Sequence, residues 1–154
     1  MRNRLLISAV FFFSLLFGTN VSGVISSNTT WTLANSPYLV TDNIVVLQGA
    51  SLTIEPGVQI RLEPGKSILI NGEIIAIGTP TLVILFTGAN IPEPGPPSSG
   101  DYWGNININS SSTVWDSNQN YLSGSILQYC MIQYGGAYDD GSIPDPGDIY
   151  SKYM

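Results

Sequence analysis

The chain of 154 residues contains no histidine and a single cysteine. The first absence excludes a Ser-His-Asp triad and histidine-ligated zinc. The second excludes an intrachain disulfide, so packing and backbone hydrogen bonds must carry the fold. Cys130 also lacks the histidine that would activate it as a nucleophile. Its alternation with Ile126 and Ile132 predicts a small buried core residue instead. Charge is scarce: Asp, Glu, Lys and Arg make up 10% of the chain, against roughly 25% in ordinary soluble domains. Net charge is −6 and the pI lies near 4.1. That excludes the clustered Lys and Arg on which nucleic-acid binding depends. Sixteen glycines and ten prolines are spread along the sequence, so turns are frequent and long helices are not expected.

A long hydrophobic run occurs once, from Leu5 to Phe17, behind Arg2 and Arg4 and ahead of Gly18-Thr19-Asn20-Val21-Ser22-Gly23. A basic start, a short apolar stretch and small residues near a cleavage point predict a secretory signal over residues 1–23. The cut is expected after Ser22 or Gly23, with Val21 in the −3 place for the latter. At about 1.5 Å per residue the run is too short for a bilayer core of about 30 Å, so the mature chain has no expected membrane span. No cysteine near the cut supports a lipid anchor. After cleavage only Arg61, Lys66 and Lys152 remain against eleven carboxylates, a net charge of −8.

What the chain has in abundance is repetition. Leu52, Ile68 and Ile84 are spaced by sixteen residues, and so are Ile54, Ile70 and Phe86. Val58 with Ile74 and Ile60 with Ala76 keep the same interval. Turns separate these segments: Glu55-Pro56-Gly57, Glu63-Pro64-Gly65, Asn71-Gly72 and Gly78-Thr79-Pro80. Within a segment the alternation has period two, with Val58, Ile60 and Leu62 inward and Gln59 and Arg61 outward. One such unit cannot bury its apolar stripe alone; stacking successive units about 4.8 Å apart does so. Sixteen-residue columns are therefore expected, with Pro and Gly at the corners. The competing reading, a sandwich of short hairpins, gives no reason for equal spacing.

The segments TTWTLANSPYLVTDNIVVLQGASLTIEPGVQIRL, INGEIIAIGT, ILFTG, GDYWGNINI and SILQYCMIQYGG, in this order, resemble secreted proteins of the pectate-lyase-like superfamily. The resemblance covers roughly Val24 to Gly136. It implies an all-β right-handed parallel β-helix, a solenoid of about three to four rungs over residues 24–136. Thr30 to Val46, with Trp31 and Tyr38, would cap the first rung. No matching cap follows Tyr134, which predicts a fragment of a longer protein or one completed by a partner. Residues 88–101 and 109–125 read as excursions, the second centred on Val114-Trp115, and residues 137–154 as an irregular acidic tail.

Candidate chemistry is sparse. Glu55, Glu63 and Glu73 lie at turns, and Glu55 and Glu63 open the same Glu-Pro-Gly corner, which favours a corner role over catalysis. Asp139, Asp140, Asp145 and Asp148 offer the oxygen ligands that calcium prefers, without the spacing of an EF-hand. Calcium is the one cofactor these residues suggest. Trp103 and Trp115, with Tyr102 and Tyr138, are candidates for stacking on sugars. Asn28-Thr29-Thr30 and Asn109-Ser110-Ser111 match the glycosylation acceptor pattern.

The leading expectation is a non-catalytic secreted or cell-surface scaffold, adhesion or carbohydrate-binding module. Its partners would be a polysaccharide or another cell-surface protein. The alternative is the N-terminal part of a polysaccharide lyase or glycoside hydrolase, for which the superfamily resemblance leaves room because the fold hosts many activities.

Overall fold

The computed structural model describes residues 18–91, 98, 100–109 and 113–136. Its strands are β1 (Thr19–Ile25), β2 (Thr29–Trp31), β3 (Tyr38–Val46), β4 (Ser51–Ile54), β5 (Gln59–Leu62), β6 (Ile68–Ile70) and β7 (Glu73–Ile77). They continue with β8 (Ile84–Gly88), β9 (Ile106–Ile108), β10 (Val114–Trp115), β11 (Tyr121–Ser123), β12 (Ile126–Gln128) and β13 (Cys130–Ile132). A single 3-10 turn, Leu33–Asn35, is the helical element among the described residues. The protein is thus all-β, as its turn density and period-two alternation require.

Every strand pair is parallel except β10 with β11. The strands fall into three columns. The first holds the opening halves of β1 and β3, then β5, β8 and β13. The second holds the closing halves of β1 and β3, then β6 and β9. The third holds β2, β4, β7 and β12. The chain visits the three columns in a fixed order, once each per pass. Because β1 and β3 each run through two columns, the first two join into one seven-stranded sheet, and the third is a separate four-stranded one.

This register corrects the sixteen-residue columns. Leu52 pairs with Ile74 and Ile54 with Ala76, each 22 residues apart. Ile68 lies between Ile44 and Ile106, and Phe86 between Ile60 and Ile132. Sixteen residues carry the chain across two columns, whereas a full pass crosses three. The interval was real because corners recur every eight residues, as at Gly57 and Gly65. Its members are all buried because every column turns one face inward, whichever pass it belongs to. Leu52, Ile68, Ile84, Ile70 and Phe86 have no exposure at all. The alternation within segments is as expected: Val58, Ile60 and Leu62 are buried and Gln59 is exposed.

Corner chemistry holds the passes in register. At both Glu-Pro-Gly corners the glycine has positive φ, +81° at Gly57 and +71° at Gly65. The residue that follows bonds back to the glutamate carbonyl, Val58 to Glu55 at 3.3 Å and Lys66 to Glu63 at 3.0 Å. Proline at the second place and glycine at positive φ in the third define a type II turn. Short polar side chains then stitch one pass to the next. Asn28 Oδ1 accepts from Ser51 N at 3.1 Å, Ser36 Oγ from Gln59 N at 2.9 Å, and Asn43 Oδ1 from Ser67 N at 2.8 Å. Glu55 accepts from Leu33 N at 2.9 Å. These bonds occupy amides that the strand ladders leave open where the chain turns.

Trp31 and Tyr38 stack at 4.8 Å between ring centres, both buried. Trp31 lies on the edge strand β2, but Tyr38 does not end its column, because β1 forms a further strand outside it. The expected cleavage points, Ser22 and Gly23, fall inside β1. A cut there would remove Thr19, Asn20 and Val21, which pair with Tyr38, Leu39 and Val40. A cut ahead of Thr19 would leave the strand whole. The apolar run from Leu5 to Phe17 lies outside the described residues, and no described helix is long and apolar enough to cross a membrane.

Candidate functional site

The second excursion folds as a small antiparallel hairpin. Trp115 of β10 faces Tyr121 of β11, and Val114 faces Ser123. The two aromatic rings meet edge to face at 5.8 Å, the arrangement that ring quadrupoles favour. Between them the chain turns over Asp116-Ser117-Asn118-Gln119-Asn120, with Gln119 at positive φ, 65°. The Asp116 carboxylate organises this turn. It accepts from the backbone amides of Asn118 and Asn120, each at 2.8 Å, and from Asn120 Nδ2 at 2.9 Å. These bonds, the Asn120 side chain foremost, hold its pKa below the usual aspartate value.

The hairpin is tied to the stacked strands at its base. Tyr121 donates its hydroxyl to Gly124 O at 2.6 Å, and Thr113 donates to Ser125 O at 2.7 Å. Ser125 Oγ in turn accepts from Ile74 N of β7 at 3.2 Å. Burial, with a lesser contribution from the Glu73 charge, raises the Tyr121 pKa, so the phenol stays protonated and keeps its bond. The result is a fixed platform from which Trp115, 52% exposed, presents an indole face beside Gln119. An open recess of about 440 Å³ lies against these two residues. A flat apolar face next to an amide is suited to stacking and hydrogen bonding. Neither of the described residues that line it is a nucleophile or a base.

The other expected contact residue is placed differently. Trp103 is 1% exposed and donates its indole N–H to Gln133 O at 2.7 Å. Its backbone bridges to Gly135, where an added Cβ would lie 3.0 Å from the ring. It is a core residue that closes the interior beside the first excursion, and its ring has no face open to a ligand. Tyr102 is half-buried; Tyr138 and the four aspartates Asp139, Asp140, Asp145 and Asp148 lie outside the described residues. Among the described residues no three His, Cys, Asp or Glu side chains come together.

The remaining acids are separate. Glu55 is engaged by Leu33 N, Glu73 stands opposite Ser51, and Asp42 forms an exposed ion pair with Lys66 at 3.1 Å. Arg61 has Leu39 and Thr87 as its strand neighbours, and its buried Nε has no hydrogen-bond partner among the described residues. Cys130 is half-buried rather than fully so. It begins β13 after a corner at Tyr129 (φ 50°) and therefore lies on a different column from Ile126. Desolvation pushes its thiol up to about 11. Gln119 was not singled out by sequence; the signal for it was the run of Asp, Ser and Asn around it, which marks a tight turn.

The site therefore belongs to an all-β protein of parallel, inward-packed strands carrying an exposed aromatic hairpin. No family model matches the chain, and no solved structure matches it. Over 48 residues it is 58% identical to the protein named bark beetle of Drosophila melanogaster. That stretch covers 31% of this chain and 2% of the fly protein, so the chain spans only a small part of that relative's length.

Proposed function

We propose that this chain forms part of a secreted or cell-surface right-handed parallel β-helix that acts as a non-catalytic scaffold. The hairpin around Trp115 is its contact surface for a polysaccharide or a cell-surface partner. The observation that carries the reading is the parallel register: three columns visited in fixed order, with apolar side chains facing a common interior. The hand follows from the strong preference of parallel crossovers for right-handed connection. The match to a short stretch of a much longer protein supports reading the chain as one portion of a longer design. The apolar run after Arg2 and Arg4 directs export, and the leader ends ahead of Thr19, which keeps β1 whole.

The placement of the acids supports a scaffold over an enzyme. Glycosidases set two carboxyl groups about 5 to 10 Å across the scissile bond, and lyases pair a base with a stabilising ion. In the observed register no two carboxylates are neighbours on adjacent strands among the described residues, and Glu55 is committed to a backbone amide. Incubation of the purified secreted chain with pectin, alginate and xylan, with and without calcium, tests this. No new reducing ends or unsaturated products are expected. Binding should quench the Trp115 emission and vanish in Trp115→Ala. Product formation above a heat-killed control would replace the scaffold with an enzyme.

A further inference from the structure

We infer that Asn28 carries an N-linked glycan, an inference that rests on the export reading above. Asn28 is exposed and immediately precedes β2, in an Asn-Thr-Thr triplet that fits the acceptor pattern. The side-chain oxygen makes the structural contact, accepting from Ser51 N at 3.1 Å. N-glycosylation leaves that oxygen in place and uses Nδ2. Asn109, the second triplet's acceptor, is arranged the other way: its Nδ2 donates to Asn71 Oδ1 at 2.9 Å. A glycan on Nδ2 would disturb this stitch between β6 and β9, while at Asn28 the stitch to β4 survives.

The location gives the modification a physical role. β2 is the edge strand of its sheet, paired with β4 alone among the described residues. Natural edges are guarded by charge, proline or covering structure. The sequence from Val24 to Asn35 contains neither a charged residue nor a proline. A hydrophilic glycan at the first residue before β2 supplies the missing guard. In the transfer, Asn28 Nδ2 attacks the anomeric carbon of a polyprenyl-pyrophosphate-linked oligosaccharide. The carbon–nitrogen bond forms, the carbon–oxygen bond to pyrophosphate breaks, and the pyrophosphate leaves with the electron pair. One Nδ2 proton passes to a base of the transferase.

The full chain, secreted from animal cells behind its own leader, is treated with peptide N-glycosidase in heavy-oxygen water and mapped by mass spectrometry. Asn28 is expected to appear as labelled Asp, and the label should be lost in Asn28→Gln and Thr30→Ala but kept in Thr30→Ser. A parallel arm places an unrelated leader ahead of Thr19. If the native leader fails to export, the export reading fails, and the second arm still decides the fate of Asn28. Unmodified Asn28 in secreted material from that arm overturns the inference. So does a glycan found only at Asn109 or at Asn20, whose Asn20-Val21-Ser22 triplet lies on β1.

Discussion

The strands from β3 to β7 and the later strands β9, β12 and β13 pair in parallel alike but differ in burial. In the earlier set Val40, Leu62, Ile68, Ile70 and Ile74 are wholly buried, and passes repeat every 22 to 24 residues. In the later set Ile106, Ile108, Leu127, Cys130 and Ile132 only pack against the core's edge, and Met131 is about half exposed. Residue type does not explain the contrast, since isoleucine fills both. Position does: an inward side chain is buried by the strands on both sides of it, and β9, β12 and β13 have a described neighbour on one side only. The later set also contains the long intervals, 38 residues from Ile68 to Ile106 and 51 from Ile75 to Ile126. Corner insertions lengthen a pass without shifting the register of its strands, because loop closure costs little more as a loop grows.

The strongest way to break the comparison is a charge in the earlier set. Ile70→Asp places an unpaired carboxylate between Val46 and Ile108 and should abolish cooperative unfolding and native circular dichroism. Truncation sharpens it. Ile70→Ala should cost about 2–5 kcal/mol, and Ile132→Ala, at the open edge, clearly less, both read by denaturant unfolding. Equal losses would contradict the one-sided packing of β13. Gly65→Ala should cost roughly 1 kcal/mol, because alanine at positive φ is strained, and a change within error would refute the type II corner.

Cys130 gives the smallest effect. Its thiol pKa is raised from 9.0 to about 11 by desolvation. A raised pKa favours the neutral thiol in the folded state. That contribution is fully present below the unfolded value and is lost as pH rises through about 11. Alkylation of native protein at pH 8 should therefore be slow and should accelerate on unfolding. Rapid labelling of the folded chain would place the thiol in water.

Sequence patterning revealed most strands, the corners, the second excursion and the inward faces, because period two and Pro-Gly turns are local signals. It did not reveal how many sides make a pass. Leu52, Ile68 and Ile84 repeat evenly whether a pass crosses two columns or three, and only hydrogen-bond partners separate the cases. The fate of the two tryptophans was equally hidden. Trp103 and Trp115 both follow polar loops, yet one closes the interior against Gly135 and the other crowns a hairpin. β1 was divided by the leader pattern, since the small residues that suit a cleavage point also suit an edge strand.

The three-column register is tested most directly by disulfide trapping. In a Cys130→Ser background, Thr53→Cys with Ile75→Cys places two thiols on paired residues of β4 and β7. Parallel neighbours about 4.8 Å apart fall within the Cα separation of roughly 4.4–6.8 Å that a disulfide accepts. The companion variant, Thr53→Cys with Leu69→Cys, joins residues sixteen apart that lie on different columns. Oxidation should close the first pair nearly completely in the folded monomer and leave the second open. A disulfide between residues 53 and 69, with none between 53 and 75, would contradict the register.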